Sequence, residues 1–295
     1  MLELRRLRLL VELSRRGTVG AVAQALSYSP STVSSQLGAL EKEAGVALLE
    51  PVGRRVRLTA AGELLVTHAV RLLAELERAE AGLAALGAEV TGRVRVAAFQ
   101  SAVLALLPPT LIDLRGRHPD LRVEVTELEP DVSLPTLAGG DYDLVLAEEY
   151  PGHPLPRTLG VTREDLLTDG LHLIVPRGWG EVRLSDLAGR PMAMEPPGTP
   201  AHEWAVRACR EAGFEPDVLI TTTDLQVQLR MVENGLAAAL LPQLAEAAQR
   251  PAVRIIPLPG RPRRRVFTAT RTGGQSRPAI SAVIQALSLA DPNQE

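Results

Sequence analysis

The stretch Ser29-Pro30-Ser31-Thr32-Val33-Ser34-Ser35-Gln36-Leu37 opens a helix and gives it two unlike faces. Ser29 suits an N-cap, and Pro30 stands at the first helical position, where its missing amide proton would have had no partner. Val33, Leu37 and Leu40 follow at spacings of four and three, which puts them on one side. Ser31, Thr32, Ser34, Ser35 and Gln36 fall on the others. Upstream, Leu4, Leu7, Leu10 and Val11 recur at helical spacing until Gly17, and Val19 to Leu26 reads as a short Ala-rich helix ending in a tight turn. Helix, turn, then a helix with a small polar outer face is the helix-turn-helix plan, whose second helix enters the DNA major groove. Short hydroxyl side chains permit close approach to phosphates and base edges, and glutamine bonds bidentately to adenine. A plain three-helix bundle with a solvated serine-rich face is the alternative that this segment alone leaves open.

The next residues weigh against it. Val46 to Glu50 and Arg55 to Leu58 read as two short strands around Pro51-Val52-Gly53-Arg54, a basic hairpin or wing. Arg54 and Arg55 suit phosphate or minor-groove contact. Residues 1–58 carry nine cations against five acids, a balance of +4, whereas the whole chain of 295 residues has a net charge of −3 and the remainder therefore −7. A basic head on an acidic body points to an anionic partner at one end only.

Ala21-Val22-Ala23-Gln24-Ala25-Leu26, the quoted Ser29 to Leu37 stretch, Leu40-Glu41, Gly45-Val46, Leu48-Leu49-Glu50, Gly53-Arg54-Arg55 and Leu58-Thr59-Ala60-Ala61-Gly62 come in one order. Together they resemble the N-terminal signature of the LysR-type transcriptional regulators. That family often has Gln-Pro-Ala where Pro30-Ser31-Thr32 stands, Arg at Ser35, and Phe at Val19 and Leu49. The fold therefore carries over and the base preference does not. The resemblance implies a winged helix-turn-helix over residues 1–58 and a linker and dimerisation helix over 59–89. It also implies an effector-binding domain over 90–295, built of two Rossmann-like α/β lobes similar to periplasmic solute-binding proteins. Ser29, Ser31, Thr32, Ser34, Ser35, Gln36, Arg54 and Arg55 are then the DNA-binding candidates.

Read on its own residues, the rest agrees. Thr59 caps a helix expected to reach about Glu89, in which Leu65, Ala69, Leu72, Leu76, Ala79, Leu83 and Leu86 form a seam at spacings of three and four. Packing on the chain's own body or on a second subunit both account for such a stripe. The resemblance favours the second, with Leu65, Leu72, Leu76 and Leu83 as dimerisation residues. Beyond Gly92, alternating strands and helices predict parallel sheets: strands at Arg93 to Ala98, Leu121 to Glu127 and Asp143 to Ala147, helices at Ser101 to Gly116 and Leu134 to Gly140. The pattern restarts at Leu171, so lobe I is assigned 90–160 with 267–295, and lobe II 161–266. Crossings are expected near Gly160 to Asp169 and Pro262 to Phe267.

Ligands of open parallel sheets sit beyond strand C-terminal ends, often at helix N-termini. Gln100 and Ser101 after the first strand occupy such a junction, and Thr199, within Pro196-Pro197-Gly198-Thr199-Pro200, the matching one in lobe II. Each also reads as an ordinary cap or connector. Glu127, Glu129, Glu148, Glu149 and Glu195 all follow strands, so Glu129 and Glu148 join the effector candidates, against the alternative that these acids are solvated or paired with Arg157 or Arg163. Backbone amides for an anion and acids for a cation describe a zwitterion, such as an amino acid. The run Arg261, Arg263, Arg264, Arg265 reads as a solvated face or as a partner for the acidic body.

A single cysteine, Cys209, excludes an intramolecular disulfide. His202-Glu203-Trp204-Ala205-Val206 lacks the second histidine of a zinc protease motif, and neither a nucleophile elbow nor a phosphate-binding loop is present. No cofactor, metal or catalytic residue is expected. Charges in the first six residues, and no apolar run near the roughly 20 needed for a span, predict a cytoplasmic protein without membrane contact. The expectation is a regulator that binds double-stranded DNA at an interrupted inverted repeat as a homodimer or homotetramer, with a small-molecule effector and RNA polymerase as further partners. A solute-binding or enzymatic α/β domain with an incidental helical head is the second reading.

Overall fold

The computed structural model describes residues 1–53, 55–87, 89–245 and 249–290, and of Arg55 only the backbone. Helices α1 (Leu4–Arg16), α2 (Val19–Ala25) and α3 (Pro30–Ala44) close over Leu7, Leu10, Val22, Val33, Leu37 and Leu40, all buried. The wing is an antiparallel pair, β1 (Leu49–Val52) and β2 (Arg55–Leu58), with Leu49 opposite Leu58. It starts later than the sequence suggests because the amides of Leu48 and Leu49 donate to the Glu41 carboxylate, at 2.9 and 3.0 Å, before the ladder begins.

Thr59 caps α4 (Ala60–Ala84) by accepting from the Gly62 amide at 3.1 Å, and its hydroxyl donates to the Ala47 carbonyl at 2.8 Å. Twenty-five residues give about 37 Å of helix. It ends short of the expected Glu89, in a stretch where Gly82 and Gly87 weaken helix propensity.

Lobe I contains β3 (Gly92–Ala98), α5 (Gln100–Ala105), α6 (Leu107–Arg117), β4 (Leu121–Glu127), α7 (Pro130–Gly139) and β5 (Leu144–Glu149). The single helix expected from Ser101 to Gly116 is two, because Pro108 and Pro109 have no amide with which to continue α5 but fit the first turn of α6. Helix α7 begins at Pro130, earlier than Leu134, with Glu129 at its N-cap. Lobe II contains β7 (Pro191–Met194), α8 (Pro200–Glu211), β8 (Asp217–Thr221), α9 (Leu225–Glu233), β9 (Ala238–Pro242) and β10 (Val253–Pro257), the last not anticipated from the sequence. Two long strands join the lobes, β6 (Val161–Pro176) and β11 (Arg263–Arg271), and α10 (Pro278–Leu289) returns to lobe I.

The strand order β4-β3-β5-β11-β6-β9-β7-β8, with β10 on β6, is parallel within each lobe's centre and antiparallel at the crossings. Residues 161–170 of β6 pair with β11, and from Leu171 onward it pairs with β9 and β10. Each crossing is thus a hydrogen-bonded strand, and the first half of β6 lies in lobe I's sheet. Among the described residues no helix is long and apolar enough to cross a membrane.

Candidate functional site

On the head, Ser31, Thr32, Ser34 and Ser35 are exposed on α3, while Val33, Leu37 and Leu40 are buried behind them. Ser29 accepts from the Thr32 amide at 3.1 Å and holds its oxygen 2.8 Å from the hydroxyls of Ser31 and Thr32. Three hydroxyls therefore cluster at a helix N-terminus, a geometry suited to a phosphate oxygen. Gln36 is half-buried at the edge of this face, and its carbonyl accepts from Arg6 Nε at 2.9 Å. Arg6 is held in turn by Glu43 and Glu3. Arg54 lies outside the described residues, as does the side chain of Arg55; Arg57 is paired with Glu50.

On α4, Leu72, Leu76 and Leu83 are 50%, 41% and 70% exposed and form an open apolar edge with Leu64 and Leu86. Leu65 is not on that edge. It is half-buried against the core of the head, because it turns with Val66 and Ala69 toward α1 and the wing.

Between the lobes the centre is Arg264, which turns out to be a partner for the acidic body and not a solvated face. Its side chain is 2% exposed, and on β11 it stands opposite Asp169 of β6. Its Nε donates to Asp169 at 2.9 Å, its Nη2 to Ser101 Oγ at 2.5 Å, and its Nη1 to Tyr150 Oη at 3.2 Å and to Glu148. The guanidinium also lies over the rings of Phe99 and Tyr150, 5.1 and 5.6 Å from their centroids. Ser101 is thus a buried acceptor for Arg264 and not an N-cap; that position belongs to Phe99. Gln100 spans the cleft: its carbonyl accepts from the Leu225 amide at 2.7 Å, and its Nε2 donates to Asp224 at 3.3 Å.

The acids divide. Glu149 is tied to Arg163 and Arg265 and accepts from the Leu155 amide, and Glu127 is exposed, so neither serves the cleft. Glu148, Glu129 and Glu195 face the same centre. Burial pushes the Glu148 carboxyl up to about 8, with Arg264 opposing and Glu129, Glu195 and Asp169 adding. Glu129 keeps solvent access as a residue, yet desolvation of its carboxyl and the charges of Glu195 and Asp131 lift it to about 7. Glu195 is raised as well, chiefly by burial. Thr199 is a local cap: it accepts from the His202 amide at 3.2 Å and donates to the Pro196 carbonyl at 3.0 Å. The free space left on the lobe II side of the cleft, beside Tyr150, Glu195 and Gln228, is about 10 Å³, room for one water. Among the described residues no group of three or more metal-ligating side chains converges.

Comparison with known proteins places these features. The profile described as "Bacterial regulatory helix-turn-helix protein, lysR family" matches residues 4–63, and that described as "LysR substrate binding domain" matches residues 87–290. The chain is similar to the HTH-type transcriptional regulator ClcR of Pseudomonas putida, at 30% identity over 82% of this chain and 83% of that one. It is similar to the hydrogen peroxide-inducible genes activator of Escherichia coli O157:H7, at 27% identity over 97% and 95%. Its fold is shared with a full-length OxyR variant from Pseudomonas aeruginosa, with a TM-score of 0.69, 21% identity and coverage of 98% and 95%.

Proposed function

The chain belongs to the LysR family of DNA-binding transcriptional regulators with an effector-binding domain, and from that premise we propose which residues meet DNA and what the cleft senses. Helix α3 enters the major groove of double-stranded DNA through Ser31, Thr32, Ser34 and Ser35, with Gln36 held at the edge by Arg6. The cluster at Ser29 takes a phosphate, and the wing arginines Arg54 and Arg55 grip the backbone. The observation that carries this reading is a helix with four adjacent exposed small polar residues whose opposite side is locked in the core. Ser35→Glu puts a carboxylate on that face. It is expected to weaken operator binding by about tenfold or more in a mobility-shift titration, while leaving the melting temperature within a few degrees. Unchanged affinity would remove α3 from the interface.

The effector site is the interlobe centre: Ser101 and Glu148 hold Arg264, with Glu129 near it, while Gln100 and Thr199 stand at the lobe I and lobe II helix starts that face the cleft. Backbone amides at the helix starts suit a carboxylate, and Glu129 with Glu195 an ammonium group, so the two together complement a zwitterion. An amino acid fits that description, and its entry parts the lobes at Gln100. Isothermal calorimetry against amino acids, simple carboxylates and amines tests this; binding of carboxylates alone would reject the acidic half of the site. Thiol-based peroxide sensing is disfavoured for this chain. Its single cysteine, Cys209, is buried beside Met192, and burial pushes its thiol up to about 11. That leaves about one thiolate in ten thousand at neutral pH. The protein acts by binding and not by catalysis, in the cytoplasm, at an interrupted inverted repeat that mirrors its two-fold symmetry.

A further inference from the structure

Lobe II carries a much larger space than the cleft. A groove of about 640 Å³ runs between α8, the turn at Leu184–Leu187 and the segment Ile256 to Pro262 that leads into β11. Its walls are apolar, with Leu184, Trp204, Ala208, Ile256, Leu258 and Pro262 as the principal surfaces. That volume is in the range of sites for drug-sized ligands, roughly 300–1,000 Å³. Two charged residues line it, Arg183 and Glu211, and neither has an ion-pair partner among the described residues. Both side chains are solvent-exposed and opposite in charge, so the groove has no net charge and its apolar interior offers little to replace a charged group's lost hydration.

The groove is wired to the cleft. The Trp204 ring lies 6.1 Å from that of Tyr150, centroid to centroid, and the Tyr150 hydroxyl accepts from Arg264. Pro262, on the groove wall, is two residues from Arg264 in the chain.

We propose that this groove is a second ligand site, preformed for a neutral, largely apolar molecule, and that its occupancy reaches Arg264 through Trp204 and Tyr150. The chain has two tryptophans, Trp179 and Trp204, so the full-length protein labelled with 5-fluorotryptophan gives a separate fluorine resonance for each. Cyclohexanol, cyclohexanecarboxylate and cyclohexylamine present one apolar body with three charges. Cyclohexanol is expected to move the Trp204 resonance saturably and to bind about tenfold more tightly than either charged analogue. Ala208→Leu narrows the groove and should abolish the shift. Ala212→Leu, near the end of the helix, serves the same purpose should the first variant fail to fold. Gln100→Ala, in the cleft but bonded to Leu225 and Asp224 and not to Arg264, should leave the shift intact, which separates this site from the interlobe one. The proposal is overturned if Trp204 does not respond, if both narrowed variants respond as the parent does, or if a charged analogue binds as well as the alcohol. It is also overturned if the Trp204 resonance moves with protein concentration alone, which would put a second copy of the chain in the groove.

Discussion

At Arg264 one guanidinium ties lobe I to the neighbouring crossing strand, so its removal leaves Asp169, 1% exposed, and Glu148, 11% exposed, without their cation. Arg264→Met is expected to cost about 3–5 kcal/mol in chemical denaturation, because a buried charge loses its partner. The raised carboxyls set a pH dependence whose sign is fixed. Glu148 and Glu129 bind protons more tightly folded, at about 8 and 7, than at their ordinary value of 4.5. The stability they lend is complete below about 4.5 and is lost as pH rises through 7 and 8. Asp143 runs the other way: the neighbouring Arg95 outweighs its burial and lowers its pKa below 3.8, so its contribution is lost only in stronger acid. The melting temperature should therefore fall from pH 5 to pH 8.5, and Glu148→Gln should flatten most of that slope; an unchanged slope would remove Glu148 as its source. The position of Gln100, Ser101, Glu129 and Glu148 after strand C-terminal ends is legible in the sequence, and the fold brings them to the interlobe cleft, where they stand as the proposed effector residues. The place of Arg264 is not. Its run of arginines reads equally as a solvated face or as a partner for the acidic body, and only a register partner 95 residues earlier decides for the second and buries it.

Helix starts capped by a hydroxyl are local and legible: Ser29, Thr59 and Thr199 each accept the amide that their cap positions predict, whereas Ser101 is not a cap and α7 starts four residues before Leu134. Ends and splits depend on what packs nearby, so the two-helix form of Ser101 to Gly116 and the strand at Val253 were missed. Gly62 shows the same dependence. A Cβ there would stand 2.3 Å from the Leu48 carbonyl oxygen, so only glycine lets α4 lie against the wing. Gly62→Ala should destabilise the head by about 1–3 kcal/mol and displace the wing, read as lost protection of the Leu49 and Thr59 amides in hydrogen exchange. Helix α7 has a longer reach. Its N-cap is Glu129 of the cleft, and its C-terminal carbonyls face the head, where Arg15 donates to Ala138 and Arg16 pairs with Asp141 at 3.2 Å. Glu12, 2% exposed, orients both arginines. Ten residues of helix thus join effector cleft to DNA-binding head over about 15 Å. A double-mutant cycle of Arg16→Ala and Asp141→Ala should return a coupling of about 0.5–1 kcal/mol, as a partly exposed pair allows. A coupling of zero would mean that this contact does not hold the head.

The whole molecule is a basic head and an acidic two-lobed body joined by a helix with two unlike sides. One side is spent within the chain: Val66, Ala69 and Val70 pack on the head, and Glu77 pairs with Arg271 of lobe I at 2.5 Å. Lobe I makes room for it with Gly273, where a Cβ would come within 2.7 Å of the Ala74 carbonyl oxygen. The other side exposes Leu64, Leu72, Leu76 and Leu83, with Leu86 just past the helix end, and four exposed leucines along one helix are a larger apolar edge than a lone monomer ordinarily shows. Their spacings of four and seven between Leu72, Leu76 and Leu83 match a coiled-coil seam, so the natural cover is the same helix of a second copy. A two-fold pair would then present two α3 helices to DNA at once, and affinity for a paired site would exceed that of either head alone. Sedimentation at micromolar concentration should show no monomer. Leu72→Asp, at a half-exposed position, should dissociate the pair while leaving the fold, read by circular dichroism, unchanged. It should also lower affinity for a two-half-site operator by about a hundredfold or more and affinity for a single half-site hardly at all. Equal losses on both sites would mean that the leucine edge supports the head and not the pairing of two chains.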